Sequence, residues 1–217
     1  MKKCIILANG EKPKKNIYQY LESLGYNTLI CADGGANSAL KQNIIPDYII
    51  GDLDSIDPKV YDYFFDKCKI IKRKNQNNTD VEKCLEFAVK NKFSDAILLG
   101  GVGDKLDHSI CNISILLKYF EYINIRLIYK NSFLRVYDSS ITLTTKKNEI
   151  ISIYGFDTKT KITSYGLKYA LKDDILPFGV KESTSNKAIG KEVKLKIKGG
   201  KIIVIRELDN VKKYGLI

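Results

Sequence analysis

Two aspartates one residue apart close an apolar run in Tyr48-Ile49-Ile50-Gly51-Asp52-Leu53-Asp54-Ser55. The apolar part has the length and composition of a buried strand. On extended backbone, residues i and i+2 share a side, so Asp52 and Asp54 would project together from the strand end. Adjacent carboxylates raise each other's pKa unless a cation sits between them. Mg²⁺ is such a cation, commonly held by one or two carboxylates together with substrate phosphates. The same residues also suit a polar turn, with Ser55 or Asp57 capping a helix that begins at Pro58.

Three more segments of this kind follow apolar runs: Ala32-Asp33-Gly34-Gly35-Ala36-Asn37, Asn75-Gln76-Asn77-Asn78-Thr79-Asp80, and Gly100-Gly101-Val102-Gly103-Asp104-Lys105-Leu106-Asp107-His108. Glycines here let backbone N–H groups approach an anion, and a following helix would add its positive end. A tight strand-to-helix turn is the plainer use of Gly34-Gly35. The spacing of Gly100, Gly101 and Gly103 does not match a dinucleotide fingerprint, and the chain has no G-x-x-x-x-G-K-[ST] phosphate loop. Thr79 and Asp80 also read as helix cap and first-turn acid, and Asp107 as the cap of a helix from His108.

The elements that must position these loops alternate through the first half. Strands are expected at Cys4–Ala8, Thr28–Ala32, Tyr48–Gly51, Cys68–Ile71, Ala96–Leu99 and Ile125–Tyr129. Helical patterns lie between them near Asn16–Ser23, Ala36–Lys41, Pro58–Asp66, Asp80–Asn91 and His108–Phe120. Such alternation predicts a parallel sheet with helical crossovers, a Rossmann-like α/β domain over residues 1–131. All four polar loops then fall at the carboxyl ends of the strands, where such folds bind ligands. From residue 132 to 217 the pattern changes to short strands, expected at Phe133–Tyr137, Ile141–Thr144, Glu149–Tyr154, Lys159–Thr163, Leu167–Leu171, Val193–Lys198 and Ile202–Arg206. Gly199-Gly200 marks a hairpin, and the whole predicts a small antiparallel β-sandwich.

Composition excludes several classes. No apolar run in the 217 residues reaches the length of a membrane span, and the short run after Met1 reads as a first strand of a cytoplasmic protein rather than a signal peptide. Five cysteines without a C-x-x-C pair, and a single histidine, give no disulfide framework or zinc site. The net charge of +11 is spread over the chain without a basic aromatic motif, which suits anionic small substrates better than nucleic acid.

Together the motifs resemble those of the thiamine pyrophosphokinase family, in the family's order and over nearly the whole chain. They read ADGGAN from Ala32, PDYIIGDLDS from Pro46, NQNNTD from Asn75, GGVGDKLDH from Gly100, GLKY from Gly166 and STSN from Ser183. The chain departs from the family pattern at Asn75 (an acid there), Lys105 (an arginine) and Tyr169 (a tryptophan). The resemblance implies transfer of pyrophosphate from ATP to the hydroxyl of thiamine, with AMP released. It implies Mg²⁺ held by Asp52, Asp54 and Asp80, and catalytic roles for these with Lys105 and Asp107. ATP would lie on Asp33, Gly34, Gly35, Asn37, Thr79, Gly101, Gly103, Lys105 and His108. Thiamine would meet Gln76, Tyr169, Ser183, Ser185 and Asn186 in a homodimer whose sites are shared between subunits. The rivals are a pyrophosphokinase acting on a hydroxymethyl-pterin, against which STSN and GLKY speak, a nucleotide-binding protein without turnover, and a nucleic-acid-binding protein.

Overall fold

Uninterrupted apolar runs such as Cys4–Leu7 and Ala96–Leu99 have no wet face, and a strand built from them must be covered on both sides. The computed structural model, which describes residues 1–217 apart from Gln76, Asp104 and Leu216, meets that requirement in the first of its two units, Met1–Tyr129. Strands β1 (Lys2–Leu7), β2 (Thr28–Ala32), β3 (Tyr48–Gly51), β4 (Lys69–Lys72), β5 (Phe93–Leu99) and β6 (Asn124–Tyr129) lie in the order β6-β5-β1-β2-β3-β4. Every pairing among them is parallel. Helices α1 (Lys15–Ser23), α2 (Gly35–Lys41), α3 (Pro58–Phe64), α4 (Asp80–Lys90) and α5 (Leu106–Lys118) fill the crossovers. The chain order reverses across β1, with β2 on one side and β5 on the other. A crevice for ligands is expected beside that point, at the carboxyl ends of the strands.

Two helix starts follow their sequence signals. Asp57 accepts the Lys59 N–H at 2.9 Å ahead of Pro58. Thr79 and Glu82 form a reciprocal capping box at the head of α4. α5 starts at Leu106, so Asp107 stands in its first turn rather than at its cap.

The second unit, Lys130–Ile217, contains β7 (Ser132–Tyr137), β8 (Ile141–Thr144), β9 (Ile150–Gly155), β10 (Lys161–Tyr165), β11 (Asp174–Ile175), β12 (Ser183–Lys187), β13 (Glu192–Lys198), β14 (Ile202–Glu207) and a short α6 (Leu208–Lys213). Strands β12-β9-β14-β7 and β11-β10-β13-β8 form two antiparallel layers. Their inward residues, among them Ile151, Ile153, Ile162, Val193, Leu195 and Val204, make one core. The stretch Leu167–Leu171, expected as a strand, makes only an isolated bridge from Leu167 to Ala188. Gly166 at φ +84° turns the chain there, and Leu171 folds back so that its N–H meets Ser164 Oγ. Conversely the STSN stretch, which is not among the expected strands, lies within β12.

Candidate active site

The site begins where β2 stops. Asp33, at φ +40° and 1% exposed, donates its N–H to the Ile50 carbonyl and turns its carboxylate under the loop that follows β3. Oδ2 accepts the N–H groups of Asp54 and Ser55 at 3.1 and 3.2 Å, and Oδ1 accepts that of Ile56 at 3.0 Å. Asn37 of α2 ties the same loop, donating to Ser55 O and accepting from the Asp57 N–H. Asp33 thus fastens the acidic loop in place.

That loop does not continue the strand. β3 ends at Gly51, and Leu53 is left-handed at φ +67°, so the alternation expected to align Asp52 with Asp54 ends before it reaches them. Carboxylate oxygens of Asp33, Asp52 and Asp80 instead converge within 4.8 Å of one another. Asp54 stands outside that group, with Oδ1 accepting Ser55 Oγ at 2.9 Å. Gly51 makes the convergence possible. A Cβ at that position would lie 2.7 Å from Asp33 Cβ and 3.1 Å from Asp80 Oδ1.

Asp80 comes from the first turn of α4, where the helix dipole favours negative charge. One turn on, Lys83 sends its ammonium back into the cluster, 2.8 Å from Asp80 Oδ1 and 3.6 Å from Asp52 Oδ2, with 3% of its side chain exposed. Burial opposes the charge on Lys83, but its bonds to Asp80 and Asp52 outweigh that and hold its pKa up. Burial also pushes Asp33 up, to about 6; the Ser55 N–H counters it, and nearby Asp80, Asp52 and Asp54 add to the rise. Carboxylates this crowded, offering only hard oxygen donors, suit a small divalent cation such as Mg²⁺.

The glycine loop beyond β5 is pinned from α5. Asn112 Nδ2 donates to Gly101 O at 2.8 Å, and Ser109 Oγ accepts the Gly103 N–H at 3.2 Å. The chain after β1 runs alongside, with Gly10 N–H on Gly100 O and Glu11 N–H on Val102 O. Here the glycines serve chain-to-chain contact: a Cβ on Gly35 would strike the Leu7 carbonyl, and one on Gly34 the Asn9 side chain. Lys105, Asp107 and His108 are exposed at the start of α5. Thr79 serves as cap to α4.

In the second unit, Asn186 is 1% exposed and spends its amide internally. Its Oδ1 accepts the Tyr169 N–H at 3.1 Å, and its Nδ2 donates to Tyr169 O at 2.7 Å and Ser183 Oγ at 3.2 Å. Asn186 therefore locks the GLKY backbone to β12, and Tyr169 stays 63% exposed. Ser185, exposed and at φ +51°, sits where the β12–β9 register shifts. Gln76 lies outside the described residues.

Sequence reasoning did not single out Lys83, Asn9, Ser109 or Asn112. Asn9 follows a strand end on the same sheet edge, and Lys83 stands three residues after Asp80 on a helix, so both carried a positional signal.

A family model described as "Thiamin pyrophosphokinase, catalytic domain" matches residues 21–128, and one described as "Thiamin pyrophosphokinase, vitamin B1 binding domain" matches residues 139–202. A thiamin pyrophosphokinase of Caenorhabditis elegans is 30% identical over 198 residues, covering 83% of this chain and 79% of its own. The chain belongs to the thiamin pyrophosphokinase family. A solved thiamine pyrophosphokinase from Bacillus subtilis superposes with a TM-score of 0.78 at 25% identity, covering 96% of this chain and 100% of its own. That of Candida albicans gives 0.81 at 20% identity, covering 94% and 88%, and attests the fold. The acid cluster lies in the segment matched by the family's catalytic model, and Tyr169 and Ser183–Asn186 in the segment matched by its B1-binding model.

Proposed function

We propose that this protein transfers the terminal pyrophosphoryl group of ATP to the hydroxyl of thiamine, giving thiamine diphosphate and AMP. The observation that carries the proposal is the convergence of Asp33, Asp52 and Asp80 at the carboxyl ends of a parallel sheet, inside the segment that the family's catalytic model matches. The strand order supports a Rossmann-like reading of the first unit, with ATP over the ends of β1, β2, β3 and β5.

In the reaction the thiamine oxygen attacks the β-phosphorus, the bond from that phosphorus to the oxygen of AMP breaks, and the hydroxyl proton leaves to a base. Such transfers need positioning and charge neutralisation more than covalent help. Asp52 and Asp80, with Asp33 beneath them and Asp54 at the rim, would hold Mg²⁺, which when bound neutralises triphosphate charge. Lys105, exposed before α5, would neutralise the charge that builds on the leaving phosphate. Asp107 and Asp80 are the carboxylates offered for the hydroxyl proton. Gly34, Gly35, Gly101 and Gly103 give the nucleotide a backbone floor, with Asn37, Thr79 and His108 beside it. Tyr169 offers an aromatic face to the cationic thiazolium, flanked by Ser183 and Ser185, while Asn186 holds that surface in shape.

The active form is proposed to be a homodimer with sites shared between subunits, which sedimentation would test. A cytoplasmic location is part of the same reading, and five unpaired thiols suit a reducing compartment. No helix among the described residues is long and apolar enough to cross a membrane.

Incubation with ATP, Mg²⁺ and thiamine, followed by mass detection, should show thiamine diphosphate and AMP in equal amounts. ATP binding without AMP release would replace the enzyme by a nucleotide sensor. AMP formed only with a hydroxymethyl-pterin would reassign the acceptor.

A further inference from the structure

Lys83 is the charged side chain at the acid cluster to which the transfer reaction assigns no task. A lysine only 3% exposed is tolerated when its charge is paired, and both its contacts, Asp80 at 2.8 Å and Asp52 at 3.6 Å, belong to the three-carboxylate group. Were the task only to hold Asp80 in place, a neutral N–H or O–H donor would serve. A cation does something further, because it occupies the position of opposite charge that a metal ion would otherwise fill. Its burial also deprives it of a route into solvent when a dication arrives. The head of α4 adds positive potential on the same side.

We propose that Lys83 is an internal counter-ion that withholds the acid cluster from free Mg²⁺ and yields it to Mg²⁺ accompanied by a triphosphate, so that metal and nucleotide bind with strong positive coupling. The proposal rests on the ATP and Mg²⁺ reading above. Without nucleotide, an entering dication meets the ammonium beside the carboxylates it needs. With nucleotide, phosphate oxygens bring the negative charge that balances metal and ammonium together. By linkage the coupling is reciprocal, so the metal tightens nucleotide binding by the same factor.

The test measures Mn²⁺ binding by electron paramagnetic resonance, with and without α,β-methylene-ATP, whose blocked bridge prevents turnover. It compares the wild type with Lys83→Gln, which keeps an N–H donor and drops the charge, and with Lys83→Arg, which keeps the charge. Lys83→Gln should bind Mn²⁺ alone at least about tenfold more tightly, with the nucleotide's enhancement reduced by a similar factor, and Lys83→Arg should behave as wild type. Unchanged or weaker Mn²⁺ binding in a folded Lys83→Gln protein would overturn the proposal and leave Lys83 a structural prop. Should that variant not fold, the wild type decides: equal Mn²⁺ affinity with and without the analogue overturns the proposal, and a marked enhancement supports it. Thiamine diphosphate formation by the wild type is scored separately. Turnover without coupling sinks only the counter-ion role, and coupling without turnover sinks only the transfer reaction.

Discussion

Asp33 serves two demands that pull its protonation in opposite directions. Three backbone N–H donors favour its charged form, while burial and the neighbouring acids disfavour it, and the balance lies on the side of the raised pKa. A cation among Asp33, Asp52 and Asp80 would relieve the crowding. Asp54, outside the group, has less to lose. Asp52→Asn and Asp80→Asn should therefore each raise the Mg²⁺ concentration needed for half-maximal AMP release by at least about tenfold, and Asp54→Asn by clearly less. Equal losses in all three would make Asp54 as strong a ligand as the other two, and no loss at Asp52 or Asp80 would move the metal elsewhere. At Lys105, in the proposed role, a point charge would neutralise phosphate without a guanidinium's two-pronged geometry. Lys105→Ala should lower kcat by at least about a hundredfold while Lys105→Arg retains activity. An unaffected alanine variant would show the side chain simply faces solvent.

At the scale of elements, α4 has a cap in Thr79 and carries Asp80 of the cluster with its partner Lys83, so cap and site can be separated by mutation. Thr79→Ala removes the acceptor for the Glu82 N–H and should cost about 1 kcal/mol of stability. If Thr79 also meets the nucleotide, KM for ATP will rise beyond what lost stability explains; an unchanged KM would confine it to capping. The turn between β9 and β10 supplies a pH test. Burial works against the Asp157 charge, but N–H bonds from Thr160 and Lys159 at 2.7 Å and the Thr160 hydroxyl at 3.0 Å overcome it and hold its pKa below the ordinary value. A depressed folded pKa contributes stability above the unfolded value, lost as pH falls through the folded one. The Tm gap between wild type and Asp157→Asn should accordingly be full at neutral pH and close below about pH 4. A gap independent of pH would mean that shape, not charge, matters there.

The elements legible beforehand were those whose burial leaves a period in the sequence. β13 alternates Val193, Leu195 and Ile197 with lysines, and β1 and β5 each end in an unbroken apolar run, Cys4–Leu7 and Ala96–Leu99. β12 has no such pattern, since of Ser183–Lys187 only Asn186 is buried, and its role there is polar. α6 lacks a side-chain cap and spans six residues, too short for a helical period to stand out. In the site, residue types and the shared sheet edge could be read from order alone. The partnership of Asp33 with Asp52 and Asp80 could not, because it depends on left-handed backbone at Asp33 and Leu53 and on the missing Cβ of Gly51.

Taken as a whole, the molecule is strongly positive, with 36 lysines and arginines against 25 acids, yet three of those acids meet at one site. The two proposed substrates carry opposite charges: the ATP complex is an anion, and thiamine bears a permanent positive charge on its thiazolium. The field of the whole protein should therefore draw one inward and hold the other off, an effect on encounter rather than on chemistry. Raising ionic strength from about 0.1 to 1 M shortens the screening length from about 10 to 3 Å and removes most of that field. With thiamine saturating, kcat/KM for ATP should then fall by about three- to tenfold at nearly constant kcat. With ATP saturating, kcat/KM for thiamine should hold or rise. The opposite signs make the test, because general salt inhibition or partial unfolding would lower both. If the two constants fall together, the net charge does not steer the substrates, and the excess of lysine is a matter of surface solvation alone.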